Sequence, residues 1–112
     1  NNVLLDGRGG LTIGNNVDIA QEVNIWSLGH DVNDDNHKSK GGEVIIHDYV
    51  WIASRATILQ GVTINRGAVI ASCSVVTKDI LTMTIAGGIP AKPIGVRENK
   101  LNYKLNYSPW FR

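Results

Sequence analysis

The sequence has few of the residues that stabilise small secreted proteins or anchor a chain in a membrane. It contains one cysteine, Cys73, so no disulfide can form within the chain. It shows no secretory signal pattern and no apolar run of the roughly eighteen residues that a transmembrane helix needs. Eleven Lys and Arg against ten Asp and Glu give a net charge of +1, which provides no general attraction to nucleic acid or to an acidic membrane. We therefore expect a soluble, cytoplasmic protein with neither kind of partner.

The length of 112 residues fits one domain, which we expect to span residues 1–112. The chain begins with Asn1-Asn2-Val3 instead of Met, and these residues already read as strand sequence. An N-terminus that is trimmed or incomplete is consistent with this beginning.

Aliphatic side chains recur every six residues along most of the chain. A second, smaller set lies two residues before each of them, on the same side of an extended strand. A helix would place side chains six apart on nearly opposite faces, so this period excludes a helix over residues 11–79. Hairpins also alternate in and out, but strands of independent length would lose the common phase within a few turns. The main set is Ile13, Ile19, Ile25, Ile46, Ile52, Ile58, Ile64, Ile70 and Val76.

The period predicts an all-β solenoid in which each hexapeptide forms one side of a triangular coil. Three hexapeptides, about eighteen residues, complete one turn. Aliphatic residues eighteen apart, such as Ile46 and Ile64, should then stack at about 4.8 Å in the core. We expect this β-helix to span residues 4–79. Residues suited to its corners are Gly14, Asn15, Asp48, Gly61, Asn65 and Gly67.

Two segments depart from the period. Ile25 and Ile46 are twenty-one residues apart, and the largely polar residues 28–43 between them are predicted to leave the coil as an excursion loop. After Asp79 the C-terminal segment 80–112 begins irregularly. From Val96 to about Tyr107 the pattern fits a short C-terminal helix that covers the last coil, with a frayed polar tail as the alternative.

Apolar side chains also occur at positions that point away from the core. Trp51 and Val69 are eighteen residues apart and should lie on one outer face, and Ile45 and Val75 point outward on the neighbouring faces. Such positions need a cover. Packing of three prisms would supply it and create clefts between subunits for a long, thin ligand; the alternative is that Trp51 only fills an interface.

Four segments resemble the hexapeptide acyltransferases: Ile-Gly-Asn-Asn-Val at 13–17, Gly29-His30, Val-Trp-Ile-Ala-Ser at 50–54, and Gly-Ala-Val-Ile-Ala-Ser-Cys-Ser-Val-Val-Thr-Lys-Asp at 67–79. The resemblance extends from about Leu4 to Arg97 and is greatest to the maltose, galactoside, nodulation-factor and polysaccharide O-acetyltransferases. It implies a left-handed parallel β-helix, a homotrimer with active sites between subunits, and acetyl-CoA as co-substrate without a metal. Serine, streptogramin and chloramphenicol acetyltransferases resemble the chain less.

The resemblance also implies roles for individual residues. His30 takes the place of the family's catalytic histidine, and a neutral imidazole with an ordinary pKa of about 6.5 suits a general base. The adjacent Asp31 is a candidate to orient the ring. At the nucleotide end, Lys78 and Lys92 would hold phosphates, with Arg97 standing in for an arginine that some relatives carry where this chain has Gly95. The positions that match the CoA groove are Trp51, Ser54, Ser72, Thr77, Lys78 and Lys92.

The acceptor is expected to be a hydroxyl of a sugar or of a bacterial polysaccharide precursor. Short carboxylates and amides crowd the loop between Asp31 and Asn36, and Asn2 and Asp6 are further candidates for acceptor contacts. A serine or antibiotic O-acetyltransferase is the alternative. A γ-type carbonic anhydrase is disfavoured because His30, His37 and His47 include no closely spaced pair. A non-catalytic scaffold leaves the joint presence of Gly-His and Thr-Lys-Asp unexplained.

Overall fold

The structure, a computed structural model, describes residues 10–30, 39–98 and 101, together with the backbone of residues 4–6. Side chains of residues 28–30 and 39–41 fall outside this description. Short strands account for most of the regular structure in these segments. They are β1 (Leu4–Asp6), β2 (Leu11–Ile13), β3 (Asp18–Ile19), β4 (Asn24–Trp26), β5 (Leu28–His30), β6 (Ser39–Gly41), β7 (Val44–Ile46), β8 (Trp51–Ile52), β9 (Thr57–Ile58), β10 (Thr63–Ile64), β11 (Val69–Ile70), β12 (Val75–Val76), β13 (Thr84–Gly87) and β14 (Lys92–Val96).

Successive strands of the coil pass from one sheet to the next, so that three parallel sheets form the sides of a prism. Sheet A has the order β1-β4-β9-β12, sheet B the order β10-β7-β2, and sheet C the order β14-β13-β11-β8-β3. Every strand pair in these sheets is parallel except β13 with β14. The fold is a left-handed parallel β-helix, and the hexapeptide prediction is confirmed.

The core consists of ladders of aliphatic side chains. Ile46 pairs with Ile64, eighteen residues on, as predicted, and both are buried. Ile25 pairs with Ile58, thirty-three residues on, because the excursion adds fifteen residues to that turn. The ladder therefore keeps its register across the excursion, and the hydrophobic period resumes in phase.

The corners between sheets are two-residue turns whose second residue is left-handed. Positive φ recurs every six residues, at Tyr49 (63°), Arg55 (63°), Gly61 (78°), Gly67 (72°) and Cys73 (62°). A non-glycine residue in this conformation costs about 1–2 kcal/mol. The corner residues are held by bonds between coils: the N–H of Arg55 donates to Gln21 O at 3.1 Å, and that of Cys73 to Ser54 O at 3.1 Å. The corners predicted at Gly61 and Gly67 are confirmed.

The coil continues past the expected end at Asp79. Ile80 bridges to Ile64, and β13 pairs with β11, with Ala86 opposite Ile70. Both steps cover sixteen residues where the preceding turns cover eighteen. The loss of two residues destroys the six-residue period, which is why the sequence pattern stops one partial turn too early.

The predicted beginning of the C-terminal helix at Val96 is wrong. Val96 is the last residue of β14, which pairs antiparallel with β13, and Arg97 N–H donates to Met83 O at 2.7 Å. Leu101 is buried, with a φ of 46° that no α-helix contains. Ladder bonds to β13 outweigh the weak helical pattern here, and the rest of the predicted helix, 99–100 and 102–107, lies outside the described residues. Within the described residues, no helix has the length and apolarity needed to cross a membrane.

Candidate active site

The excursion begins as an antiparallel hairpin that carries His30. The chain leaves the coil at the buried Ser27, after β4 of sheet A, and rejoins it at Gly42, before β7 of sheet B. The N–H of Gly42 donates to Ser27 O at 3.0 Å. Between them β5 and β6 pair, with His30 opposite Ser39. The backbone of His30 therefore lies at the outer end of the paired segment. The His30 side chain, Asp31 and the remainder of the loop to residue 38 lie outside the described residues.

The hairpin leaves from a corner of the prism that also carries Thr77 and Lys78. Ser27 follows β4, Gly61 closes the turn after β9, and Thr77 follows β12, and these three strands are neighbours in sheet A. The stacking is direct, since Gly61 N–H donates to Gly42 O at 3.1 Å. We name this edge the hairpin corner. Thr77 lies two coils from the root of the hairpin, about 10 Å along the prism at the usual strand spacing.

A pocket of about 280 Å³ opens at the end of the coil beside this corner. The turn that leads into β14 forms its other wall, held over β12 by a bond from Ala91 N–H to Val75 O at 2.8 Å. Lys78 and Lys92 are both exposed at its rim. The structure thus brings together three residues predicted for CoA binding. The lining residues are Thr77, Lys78, Asp79, Ile80, Leu81, Thr84, Pro90, Ala91, Lys92 and Pro93.

The other predicted groove residues lie at the opposite edge of sheet A. Ser54 and Ser72 each begin the corner turn before a strand of that sheet, and the Cys73 N–H to Ser54 O bond stacks one turn on the other. Trp51 is half-buried on β8 of sheet C, paired with Val69. Within one chain, Ser54 and Ser72 therefore lie across sheet A from Thr77 and Lys78.

The outer apolar face differs from the expectation at Val69, whereas Trp51, Ile45 and Val75 are half-buried. Val69 is only 9% exposed in the single chain, because Trp51 and Ile85 flank it in sheet C. The most exposed apolar side chains lie at the C-terminal end of the prism, where Ile94 and Val96 of β14 are 65% and 72% exposed. Sequence reasoning missed these because β14 follows no hexapeptide period.

Two arginines have roles that the sequence did not indicate. Arg55, next to Ser54, donates from Nε to Glu22 Oε2 at 3.1 Å, and this hydrogen bond raises the pKa of Arg55. Arg97 donates from Nη1 to Tyr49 O at 2.7 Å and to Gly67 O at 3.0 Å. Its guanidinium thus clamps the corner between sheets B and C, whereas the sequence had suggested phosphate binding for Arg97.

The structure describes only part of the residues predicted to contact the acceptor. Asp6 ends β1 and lies opposite Trp26 in sheet A, so its backbone lies beside the root of the hairpin. The side chain of Asp6 and all of Asn2 fall outside the description. In the part of the chain that the structure does describe, no three His, Cys, Asp or Glu side chains lie close enough to hold a metal ion.

The coil matches known proteins in sequence and in structure. Residues 43–78 match the family described as bacterial transferase hexapeptide (six repeats). A solved galactoside acetyltransferase in complex with coenzyme A superposes with a TM-score of 0.82 at 32% identity, over 95% of this chain and 57% of that one. The chain belongs to the hexapeptide-repeat acyltransferase family.

Acetyltransferases of different descriptions resemble the chain to similar degrees. A putative acetyltransferase of Schizosaccharomyces pombe is 43% identical over 94 residues, 80% of this chain and 45% of the relative. A chloramphenicol acetyltransferase of Klebsiella aerogenes is 48% identical over 73 residues, 63% of this chain and 35% of the relative. The chain thus spans less than half the length of these two relatives.

Proposed function

We propose that the chain is an acetyl-CoA-dependent O-acetyltransferase that transfers an acetyl group to a hydroxyl of a sugar or of a bacterial polysaccharide precursor. The observation that carries this proposal is the hairpin corner, where the root of the hairpin that carries His30 and the Lys78 side of a pocket lie along one edge of the prism. The similarity of that coil to a galactoside acetyltransferase in complex with coenzyme A supports the same donor.

The pocket suits the nucleotide end of the donor. Two lysines at its rim supply positive charge for phosphates, and its floor of Ile80, Leu81 and Pro90 offers an apolar surface for a ring. The pantetheine arm runs beside Ser54 and Ser72 in this proposal. Because those serines lie across sheet A from the hairpin corner, one chain does not line a continuous groove.

A homotrimer completes the groove in our proposal. In a three-fold assembly, the hairpin corner of one prism faces a side of the next, so that each cleft is lined by two chains. The separation of Ser54 and Ser72 from the hairpin corner within one chain supports this arrangement. Trp51, half-buried beside these residues, then contributes an apolar wall to the cleft.

The reaction is a direct transfer with His30 as general base. Neutral imidazole takes the proton of the acceptor hydroxyl while the oxygen attacks the thioester carbonyl. The tetrahedral oxyanion is stabilised by backbone N–H groups, and its collapse breaks the C–S bond. The CoA thiolate leaves and takes up the proton from the imidazolium. Asp31 orients the ring in this scheme.

The acceptor assignment rests on the loop and on the galactoside relative. Carboxylates and amides between Asp31 and Asn36 can bond several vicinal hydroxyls, and Asn2 and Asp6 are proposed to extend that surface. A second candidate, an antibiotic hydroxyl, is favoured by the 48% identity to a chloramphenicol acetyltransferase.

An acceptor panel separates these candidates. The chain is supplied with acetyl-CoA and, in turn, mono- and oligosaccharides, serine, chloramphenicol and a streptogramin, and release of the CoA thiol is followed. We expect turnover with a sugar. Turnover confined to serine or to a drug, with every sugar inert, would show that the acceptor assignment is wrong while the transferase assignment stands.

A further inference from the structure

Asp79 is joined to the preceding coil through its side chain. The N–H of Thr63, in β10, donates to Oδ1 of Asp79 at 2.8 Å. Asp79 also lines the pocket, directly after Lys78. One carboxylate therefore connects the sheet-B side of the prism to the rim of the proposed donor site.

One coil earlier, the equivalent bond is made by the backbone. Ile45 pairs with Thr63, and Ile45 N–H donates to the carbonyl of Val62, the residue before that partner, at 3.1 Å. The bridge between Ile64 and Ile80 places Thr63 opposite Asp79, so the equivalent acceptor in the last coil would be the carbonyl of Lys78. The carboxylate of Asp79 takes the place of that carbonyl.

The N–H of Thr63 is therefore satisfied without the carbonyl of Lys78, so the backbone at Lys78 need not follow the coil. The ladder resumes immediately afterwards, since Ile80 N–H donates to Thr63 O at 3.0 Å and Asn65 N–H donates to Ile80 O at 3.0 Å. The departure is thus confined to the residues that line the pocket. The same place is where the turn shortens from eighteen residues to sixteen.

We infer that Asp79 is a positioning residue that fixes Lys78 at the rim of the pocket by replacing a backbone acceptor of the coil. This inference rests on the proposed function, in which Lys78 holds a phosphate of CoA. A negative carboxylate is the wrong partner for that phosphate, so Asp79 acts through the backbone of Lys78 and not by touching the ligand.

Asp48 provides a matched control. Its Oδ1 accepts the N–H of Asn15 at 2.7 Å, the same kind of bond from a carboxylate to the coil beneath. It lies in the corner turn between sheets B and C and does not line the pocket. Asp79→Ala and Asp48→Ala therefore remove equivalent bonds, but only the first is adjacent to Lys78.

The experiment measures CoA affinity by calorimetry, alongside thermal unfolding, for the wild type, Asp79→Ala, Asp79→Asn and Asp48→Ala. We expect Asp79→Ala to weaken affinity by about tenfold, the scale of one lost charge-assisted hydrogen bond. Asp79→Asn keeps an oxygen acceptor and removes the negative charge, so its affinity should equal or exceed that of the wild type. Asp48→Ala should lose comparable thermal stability while its affinity changes less than about twofold.

A double-mutant cycle tests the route through Lys78. In a Lys78→Ala background, Asp79→Ala should change affinity by less than about twofold. If Asp79→Ala does not fold, Asp79→Glu takes its place in the experiment. This variant keeps the negative charge but moves the acceptor oxygen by one methylene, so a positioning role for Asp79 predicts weaker binding of CoA.

The outcomes separate the two claims. A wild-type chain that does not bind CoA overturns the proposed function and the role of Asp79 with it. Wild-type binding together with unchanged affinity in Asp79→Ala overturns the positioning role alone. If Asp79→Asn weakens CoA affinity as much as Asp79→Ala does, the charge of Asp79 explains the loss and the positioning role is overturned. If Asp48→Ala weakens CoA affinity as much as Asp79→Ala does, general stability explains the loss and the positioning role is again overturned.

Discussion

Two corner glycines with the same backbone conformation should respond very differently to alanine. Gly61 has a φ of 78° and Gly67 a φ of 72°, so both lie in the left-handed region. A Cβ added at Gly61 meets nothing within 4 Å. At Gly67 it would collide with Met83 Sδ and lie 2.7 Å from Leu101 Cδ1. The pair therefore separates backbone strain from overpacking.

The magnitudes follow from these contacts. Gly61→Ala carries only the left-handed cost of about 1–2 kcal/mol, partly offset by about 0.4–1 kcal/mol because alanine restricts the unfolded chain. Gly67→Ala adds overpacking of about 1–3 kcal/mol. We expect the free energy of unfolding to fall by about 0.5–1 kcal/mol at Gly61 and by about 2–3 kcal/mol at Gly67.

Urea unfolding followed by circular dichroism, at one fixed protein concentration, measures both values. In the Gly67→Ala background, Leu101→Ala should cost less than it does in the wild type, because it relieves part of the collision. Equal losses at the two glycines, or additive effects of Gly67→Ala and Leu101→Ala, would refute the packing of Leu101 against this corner.

Two further predictions concern the clamp and the assembly. Arg97→Ala removes the donor to Tyr49 O and Gly67 O, so it should lower the free energy of unfolding by about 1–3 kcal/mol. The affinity for CoA should stay within about twofold of the wild type. A loss of CoA affinity without a loss of stability would show that Arg97 binds a phosphate. Light scattering at micromolar concentration should give three times the chain mass of 12.2 kDa, and a monomeric mass would remove the proposed cleft between subunits.

The sequence predicted the coil well because its period is imposed by geometry. Every third Ile of the main set returns to the same side of the prism, so Ile46 and Ile64 could be paired from spacing alone. Corner turns were predicted at Asn15, Asp48, Gly61 and Gly67, and all four residues lie in such turns; of these four, only the two glycines are the left-handed residue. Tyr49 and Arg55 adopt the same conformation without any sequence signal, because hydrogen bonds between coils hold them there.

The end of the coil was harder to predict. A turn shortened by two residues has no period, so the pairing of Ile80 with Ile64 was not predicted. For the site, Lys78 and Lys92 were predicted from family resemblance, and the structure brings them to one pocket. The role of Asp79 was not predicted, because it depends on a bond to Thr63 that spacing does not reveal.

The most direct test of the account is acetyl transfer by His30→Ala. Loss of the general base should lower kcat by on the order of a thousandfold, with CoA affinity within about twofold of the wild type, because His30 acts on the acceptor proton. His37→Ala and His47→Ala are the controls and should retain nearly full activity. A His30→Ala chain that keeps more than about a tenth of the wild-type rate would contradict the proposed mechanism.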